Sequence, residues 1–238
     1  MKHPAELWVY LSTSPLLWLT LTLFIWIAAT SISVRCNRHP LANPVLISIV
    51  LLSCTLQVFD VPYERFFEGA QFIHFLLGPA TVAIAVPLYR QWRQVKEALL
   101  PMAAALVIGS LSAALSIMIL GKWAGLSQDV LLSFLPKSAT AGVAMAISAS
   151  MGGNPSLTAV LVVLTGIVGA LVVTPFMNAM RIKDYAARGF AVGLTSHGIG
   201  TARAFDVDNT AGLFAGIAMA LNAIATSLII PLLVRLFL

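Results

Sequence analysis

The sequence predicts an all-α polytopic membrane protein with seven to eight transmembrane or re-entrant helices, and three observations predict it. Of 238 residues, 59% are hydrophobic and only 10% charged, with a mean hydropathy of +0.94, far outside the range of soluble domains. The apolar residues fall in long runs, each near the roughly 20 residues a helix needs to cross the hydrocarbon core, so they read as helices and not as barrel strands. Two runs are interrupted, near Pro79 and near Pro136. A proline cannot donate a backbone hydrogen bond and a charge in apolar sequence is costly, so broken helices are expected at both places.

Eight apolar segments can be drawn in order, at 16–34, 45–59, 72–89, 99–121, 129–151, 156–178, 187–204 and 210–236. The first is too long for the apolar part of a signal peptide and is followed by many like it, so it reads as a retained span. Between the segments lie polar linkers, among them Gly152-Gly153-Asn154-Pro155 and the stretch from Arg181 to Arg188. No linker is long enough to separate domains, so residues 1–238 read as one integral membrane domain. Cys36 flanks a span and Cys54 lies inside the next, positions that suggest neither a disulfide nor a metal site.

The net charge of +5 does not point to nucleic acid, because the Lys and Arg residues sit in short clusters between apolar runs and not on one solvated face. They read as topogenic charges. If all eight segments crossed, the clusters around Arg93 and Lys183 would fall on opposite sides, with six positive residues against seven. If one of the three segments between those clusters enters and leaves by the same face, the balance, Lys137 aside, becomes nine against four, which the positive-inside rule prefers. The natural candidate is 129–151, with its Pro136-Lys137 break and its Gly-Gly-Asn-Pro end. The expected topology has the N-terminus outside and the loops near Arg35, Arg93 and Lys183 in the cytoplasm. Non-helical backbone at membrane depth requires protein or a water-filled cavity around it, so a re-entrant segment implies a cavity.

A short echo aligns residues 75–85 with 134–144, five of eleven positions being identical, although apolar sequence yields such matches cheaply. Interrupted segments at corresponding places in two halves point to a transporter's binding site.

Three polar constellations lie inside the apolar segments. In Gly78-Pro79-Ala80-Thr81, Pro79 suits the first position of a half-helix whose free N–H groups and Thr81 hydroxyl could meet an anion; the competing reading is a kinked span with Thr81 bonded back to its own helix. In Pro136-Lys137-Ser138-Ala139-Thr140 the same logic gains a full positive charge, the alternative being Lys137 reaching to an interface. In the third, Gly189, Gly193, His197 and Gly200 share one helical face, followed by Thr201 and Arg203. That spacing fits close helix packing or a glycine groove leading to an imidazole. His74 could join a cavity or sit at an interface.

Acidic residues stay out of the span centres: Asp60, Glu64, Glu68, Glu97, Asp129, Asp184, Asp206 and Asp208 fall in loops or span ends. A cation or proton antiporter would want a buried carboxylate, so the buried charges favour an anion. No nucleotide loop, metal-ligand cluster or nucleophile-base pair appears, and the chain does not read as an enzyme or as requiring a cofactor.

The stretch 78–89, Pro136-Lys137-Ser138-Ala139-Thr140 and Ser196-His197-Gly198-Ile199-Gly200-Thr201-Ala202-Arg203 resemble, in order and spacing over essentially the whole chain, the signature stretches of the LrgB/CidB membrane proteins. The resemblance implies kinship with the bile-acid symporter and sodium/proton antiporter superfamily, whose sites are built from broken helices. It implies likeness to the plastidial glycolate/glycerate translocators, which fuse LrgB-like and LrgA-like halves, and to bacterial proteins described as modulators of murein hydrolase activity and autolysis. A holin-like LrgA/CidA partner would here be a separate chain. Where family members often continue Pro-Lys-Ser with Val-Thr-Thr-Pro, this chain has Ala139, Thr140, Ala141 and Gly142, which puts in doubt any ligand contact at 141 and any sharp break at 142.

The resulting expectation is a multi-pass carrier of small monocarboxylates, of the glycolate, glycerate or pyruvate type, in the inner (plasma) membrane. Lys137 would supply charge, Pro79 and Pro136 would start anion-facing half-helices, and Thr81, Ser138, Thr140, His197 and Thr201 would orient the substrate. The alternative is an antiholin-like modulator of autolysis without transport of its own. Expected partners are the lipid bilayer, a carboxylate anion and a holin-type protein, with a homo-oligomer left open and nucleic acid excluded.

Overall fold

The computed structural model describes residues 14–39, 42–76, 79, 82, 83, 89 and 92–237, and among these residues there are helices and no strands. Four of the helices are long and apolar enough to cross a membrane. The chain is a multi-pass membrane protein built as two compact units, Met1–Ala83 and Ile84–Leu238.

In the first unit, α1 (Pro15–Arg35), α2 (Pro44–Val58) and α3 (Tyr63–Phe75) follow one another. Proline at the first turn starts α1 and α2, where its missing N–H costs nothing, and the Asn43 side chain caps α2 by accepting from Val45 N at 2.8 Å. Helix α3 lies against α1 at Gly69, where a Cβ would stand 2.8 Å from Leu19 N. Trp18 is fully buried there, edge-on to Phe66 with ring centroids 6.3 Å apart. Pro79 is helical and exposed; Thr81 and residues 77, 78 and 80 lie outside the described residues, as does much of the 75–85 echo.

The second unit comprises α4 (Trp92–Glu97), α5 (Leu99–Trp123), α6 (Gln128–Phe134), α7 (Ala141–Ser150), α8 (Pro155–Ala179), α9 (Tyr185–Val207) and α10 (Asn209–Phe237). Its long helices define two faces. Met102, in the first turn of α5, packs with Phe190, Leu213 and Phe214 near the start of α10, and Lys122 at the end of α5 donates to Phe237 O at 2.9 Å. Helices α5 and α10 therefore run in the same direction, from a first face to a second. Helix α8 runs back: Thr158 near its start donates to Ser133 O at 3.1 Å on the second-face side, while Met177 near its end borders a small cavity with Tyr185 and Val207 on the first.

The segments between these spans do not cross. Leu132 and Leu135 pack with Ile147, Ile230 and Leu233 near the second face, while Ser138, between them in sequence, reaches Asn222 two turns deeper along α10. Gly153 then comes back to Ser133, a Cβ there standing 3.0 Å from Ser133 N. Helices α6 and α7 are thus the arms of a re-entrant hairpin, which is the arrangement that the charge balance predicts for 129–151.

Helix α9 is a second hairpin, and here the structure corrects a sequence expectation. In a continuous helix Val192 and Gly200 would be about 12 Å apart along the axis. Instead a Cβ on Gly200 would stand 2.8 Å from Val192 Cγ2 and 3.0 Å from Val192 O. The chain reverses at His197, whose φ of 41° and ψ of −133° are not helical. The segment 187–204, drawn as one apolar run, is two short arms, 185–196 and 198–207. The single helical face expected for Gly189, Gly193, His197 and Gly200 does not exist, because the reversal separates Gly200 from the rest.

The second unit thus repeats one pattern with opposite polarity. Span α5 is followed by a hairpin from the second face, span α8 by a hairpin from the first, and α10 crosses beside both tips. Arg93, Lys96, Arg181, Lys183, Arg188 and Arg203 lie toward the first face, against Lys122 and Arg235 toward the second. Asp184 and Asp208, which the sequence places at span ends, cap α9 and α10 through bonds of 2.7 Å to Ala186 N and Thr210 N.

Candidate functional site: two hairpin tips and the amide between them

The tip of the first hairpin is made by Leu135–Thr140. Pro136 offers no N–H, and the chain turns through Lys137 N to Phe134 O at 3.2 Å and Ala139 N to Pro136 O at 2.9 Å. Thr140, with φ −63° and ψ 148°, is the N-cap of α7, but its side chain makes no capping bond. Among the described residues no acceptor meets the N–H groups of Ala141, Gly142 or Val143. Lys137 is half-buried beside them, and no carboxylate among the described residues pairs with it. Free N–H groups at a helix start favour an anion, and Lys137 adds a positive charge to the same turn of the chain.

The second tip centres on His197. Its Nε2 lies 2.9 Å from Val162 O of α8. A carbonyl oxygen can only accept, so Nε2 carries a hydrogen and donates it. The ring rests on Gly166, where a Cβ would stand 2.7 Å from Cε1, and Ser196 rests on Gly169 in the same way. Thr201 is buried and its hydroxyl donates to His197 O at 2.8 Å, so it reinforces the turn. Gly189 and Gly193 press on the α10 backbone at Ala211 and Ala215 and serve packing. His197 holds a positive φ that favours glycine, a strained conformation of the kind that persists where the surroundings over-determine it.

Asn222, at the middle of α10 and 1% exposed, joins the tips. Its Nδ2 donates to Ser138 O of the first tip and to Leu194 O just before the second, each at 3.0 Å. Its Oδ1 accepts from Ser110 Oγ of α5 at 2.8 Å and from Thr226 Oγ1 at 3.2 Å. Two carbonyl partners fix which end of the amide is nitrogen. Every hydrogen bond the side chain can make is made.

Of the residues the sequence singles out, Lys137, Ser138 and Thr140 stand at the first tip, and His197 and Thr201 at the second. Ala139 and Ala144 pack on Val162, whose carbonyl holds His197, so the two tips share one contact on α8. Pro79 belongs to the first unit. Beside Asn222 a cavity of about 10 Å³ is lined by Ser110, Leu135, Ser138 and Thr226, room for one water at most. A carboxylate does not fit in it. The outer side is open: Gly142 and Gly198 are exposed, and nothing lies within 4 Å of a Cβ on Gly142. Among the described residues no three His, Cys, Asp or Glu side chains are grouped to hold a metal.

Asn222, Ser110 and Thr226 do not emerge from a search for ionisable groups and prolines. The signal was present as a lone asparagine inside the apolar run 210–236, since an amide at mid-membrane must find partners.

Residues 22–236 match the model of the LrgB-like family. The chain is 37% identical to the uncharacterized protein YxaC of Bacillus subtilis over 198 residues, covering 83% of this chain and 86% of that one. It is 33% identical to the uncharacterized protein YwbG of the same organism over 215 residues, covering 90% and 95%. It is 30% identical to the holin-like protein CidB of Staphylococcus epidermidis over 221 residues, covering 93% and 96%. No solved structure matches it. With the family model covering nearly the whole chain, and relatives similar along nearly their full length, this protein belongs to the LrgB-like family.

Proposed function

We propose that this protein carries small monocarboxylates, of the glycolate, glycerate or pyruvate type, across the inner (plasma) membrane. The observation that supports this best is the chemistry left open at the first tip. The N–H groups that start α7, the Thr140 hydroxyl and the Lys137 ammonium have no acceptor among the described residues, whereas the Ser138 carbonyl is already occupied by Asn222. Donors without acceptors, held at mid-membrane on a hairpin, suit a carboxylate and repel a cation. Lys137 supplies charge and Thr140 a hydroxyl. The strained second tip, with His197 and Thr201, helps to position the substrate.

Uptake of glycolate, glycerate and pyruvate into liposomes holding the purified protein tests the reading. Lys137→Ala is expected to insert and fold, since removing a costly buried charge relieves the empty protein. It is expected to lose a charge-assisted hydrogen bond of about 1.5 to 3 kcal/mol, roughly ten- to over a hundredfold in affinity. Lys137→Arg is expected to recover only part of the loss, because a planar fork does not replace a compact ammonium. Wild-type uptake by Lys137→Ala at matched expression would remove Lys137, and the first tip with it, from the proposed site.

The name of CidB favours a second reading, in which this chain acts with a separate small holin-type protein of the LrgA/CidA kind and modulates murein hydrolase activity without transport. Liposomes containing this chain alone separate the two, since the second reading expects no carboxylate flux in them.

A further inference from the structure

The four bonds of Asn222 imply a role in selecting the charge of the ligand. We infer that Asn222 is a specificity-determining, positioning residue: by occupying the two carbonyls that converge between the hairpins, Ser138 O and Leu194 O, it withdraws them as ligands for a metal cation and leaves the first tip to receive an anion. The inference rests on the carboxylate reading above and adds to it the device that sets the sign.

Each hairpin turns back inside the membrane, and a turn exposes carbonyl oxygens as well as N–H groups. Carbonyl oxygens converging at one point are the ligands that alkali cations take at broken helices. Ser138 O and Leu194 O converge in this way, both 3.0 Å from the same nitrogen. An amide NH₂ satisfies both while carrying no net charge. Its oxygen is held on the far side by the Ser110 and Thr226 hydroxyls, so the amide presents donors to the tips and keeps its acceptor away from them. With Ser138 O and Leu194 O occupied, the converging pair is closed to a cation, while the start of α7 and Lys137 stay available to an anion.

Replacing the amide by an isosteric carboxylate reverses every term. Asn222→Asp loses both donors, frees the two carbonyls and adds a negative charge between them, so that two neutral oxygens and a carboxylate now face one point. The variant is expected to bind sodium and to reject carboxylates.

The test uses the full chain, purified in detergent, with thermal stability read in sodium chloride against choline chloride and in a glycolate titration. Wild type is expected to be indifferent to the exchange of sodium for choline and to be stabilised by glycolate. Asn222→Asp is expected to be stabilised by sodium over choline and to bind glycolate at least about tenfold more weakly, the scale of a lost charged hydrogen bond. Asn222→Ser, small and neutral, withdraws the amide from both carbonyls without adding a negative charge; it serves if the aspartate does not fold, with a smaller loss of glycolate affinity expected. Wild-type glycolate affinity in either variant would overturn the inference, as would an Asn222→Asp protein that folds and ignores sodium. A wild type indifferent to glycolate, glycerate and pyruvate, together with a sodium response gained by Asn222→Asp, would sink the carboxylate reading and leave the assignment of Asn222 standing.

Discussion

His197 shows how little of a residue's role its chemical type reveals. As an ionisable group in an apolar run it invites a functional reading, yet the structure uses its backbone as much as its ring. The φ of 41° is what turns the chain, although Gly198 stands next to it and could adopt that conformation more cheaply. The ring holds the turn by donating to Val162 O. Comparing two truncations separates strain from bonding. His197→Ala and His197→Gly both lose the ring, but only glycine relieves the positive φ, so the glycine variant is expected to be more stable by about 1 kcal/mol in chemical denaturation. Equal stability of the two would show that the turn carries no strain. Lys137 was legible because a charge among apolar residues announces itself. Asn222 was not, because an uncharged amide does not, and its partners lie 84 and 28 residues away in the chain.

At the scale of elements, the four helices long and apolar enough to cross and the first hairpin could be read in advance, while the second hairpin and α3, whose first half was drawn as a polar linker, could not. The Pro136-Lys137 break and the distribution of Lys and Arg both bear on 129–151. Within 187–204 there is no proline, and small residues with a glycine every few positions look like a packing face of one helix. They are a packing face, but of a doubled one. The first arm of α9 lies so close to α10 that a Cβ on Gly193 would stand 2.6 Å from Ala215 C and Cα, backbone that cannot move aside. Gly193→Ala is therefore expected to destabilise the protein by about 1 to 3 kcal/mol. Gly142 in the first turn of α7 has open space around it, and Gly142→Ala is expected to be neutral or stabilising by up to about 1 kcal/mol. Thermal melts of the two variants side by side check this, and a destabilising Gly142→Ala would mean that the open space is occupied.

For the whole molecule, membrane class and helical architecture followed from composition, while the count of crossings depended on the two reversals. With α9 doubled back, the loops at Arg93, Lys183 and Asp208 share one face, and Gly125 and Gly153 share the other. The positive-inside rule assigns the first face to the cytoplasm. Single cysteines at 93, 183 and 208, in a background with Cys36 and Cys54 replaced, are expected to react with an impermeant maleimide from the cytoplasmic side. Cysteines at 125 and 153 are expected to react from outside. Opposite faces for 183 and 208 would restore α9 as a crossing span; opposite faces for 93 and 183 would do the same for 129–151.

The inverted placement of the two hairpins has a consequence for traffic. Each membrane face sends in one short hairpin, and the two hairpins bond the same amide. A ligand at the tips meets kindred geometry whichever way it came. Under the carrier reading, such a protein has no preferred direction of its own: the same molecule would empty a cell of an accumulating acid or load a starved one, and the gradient alone would decide which.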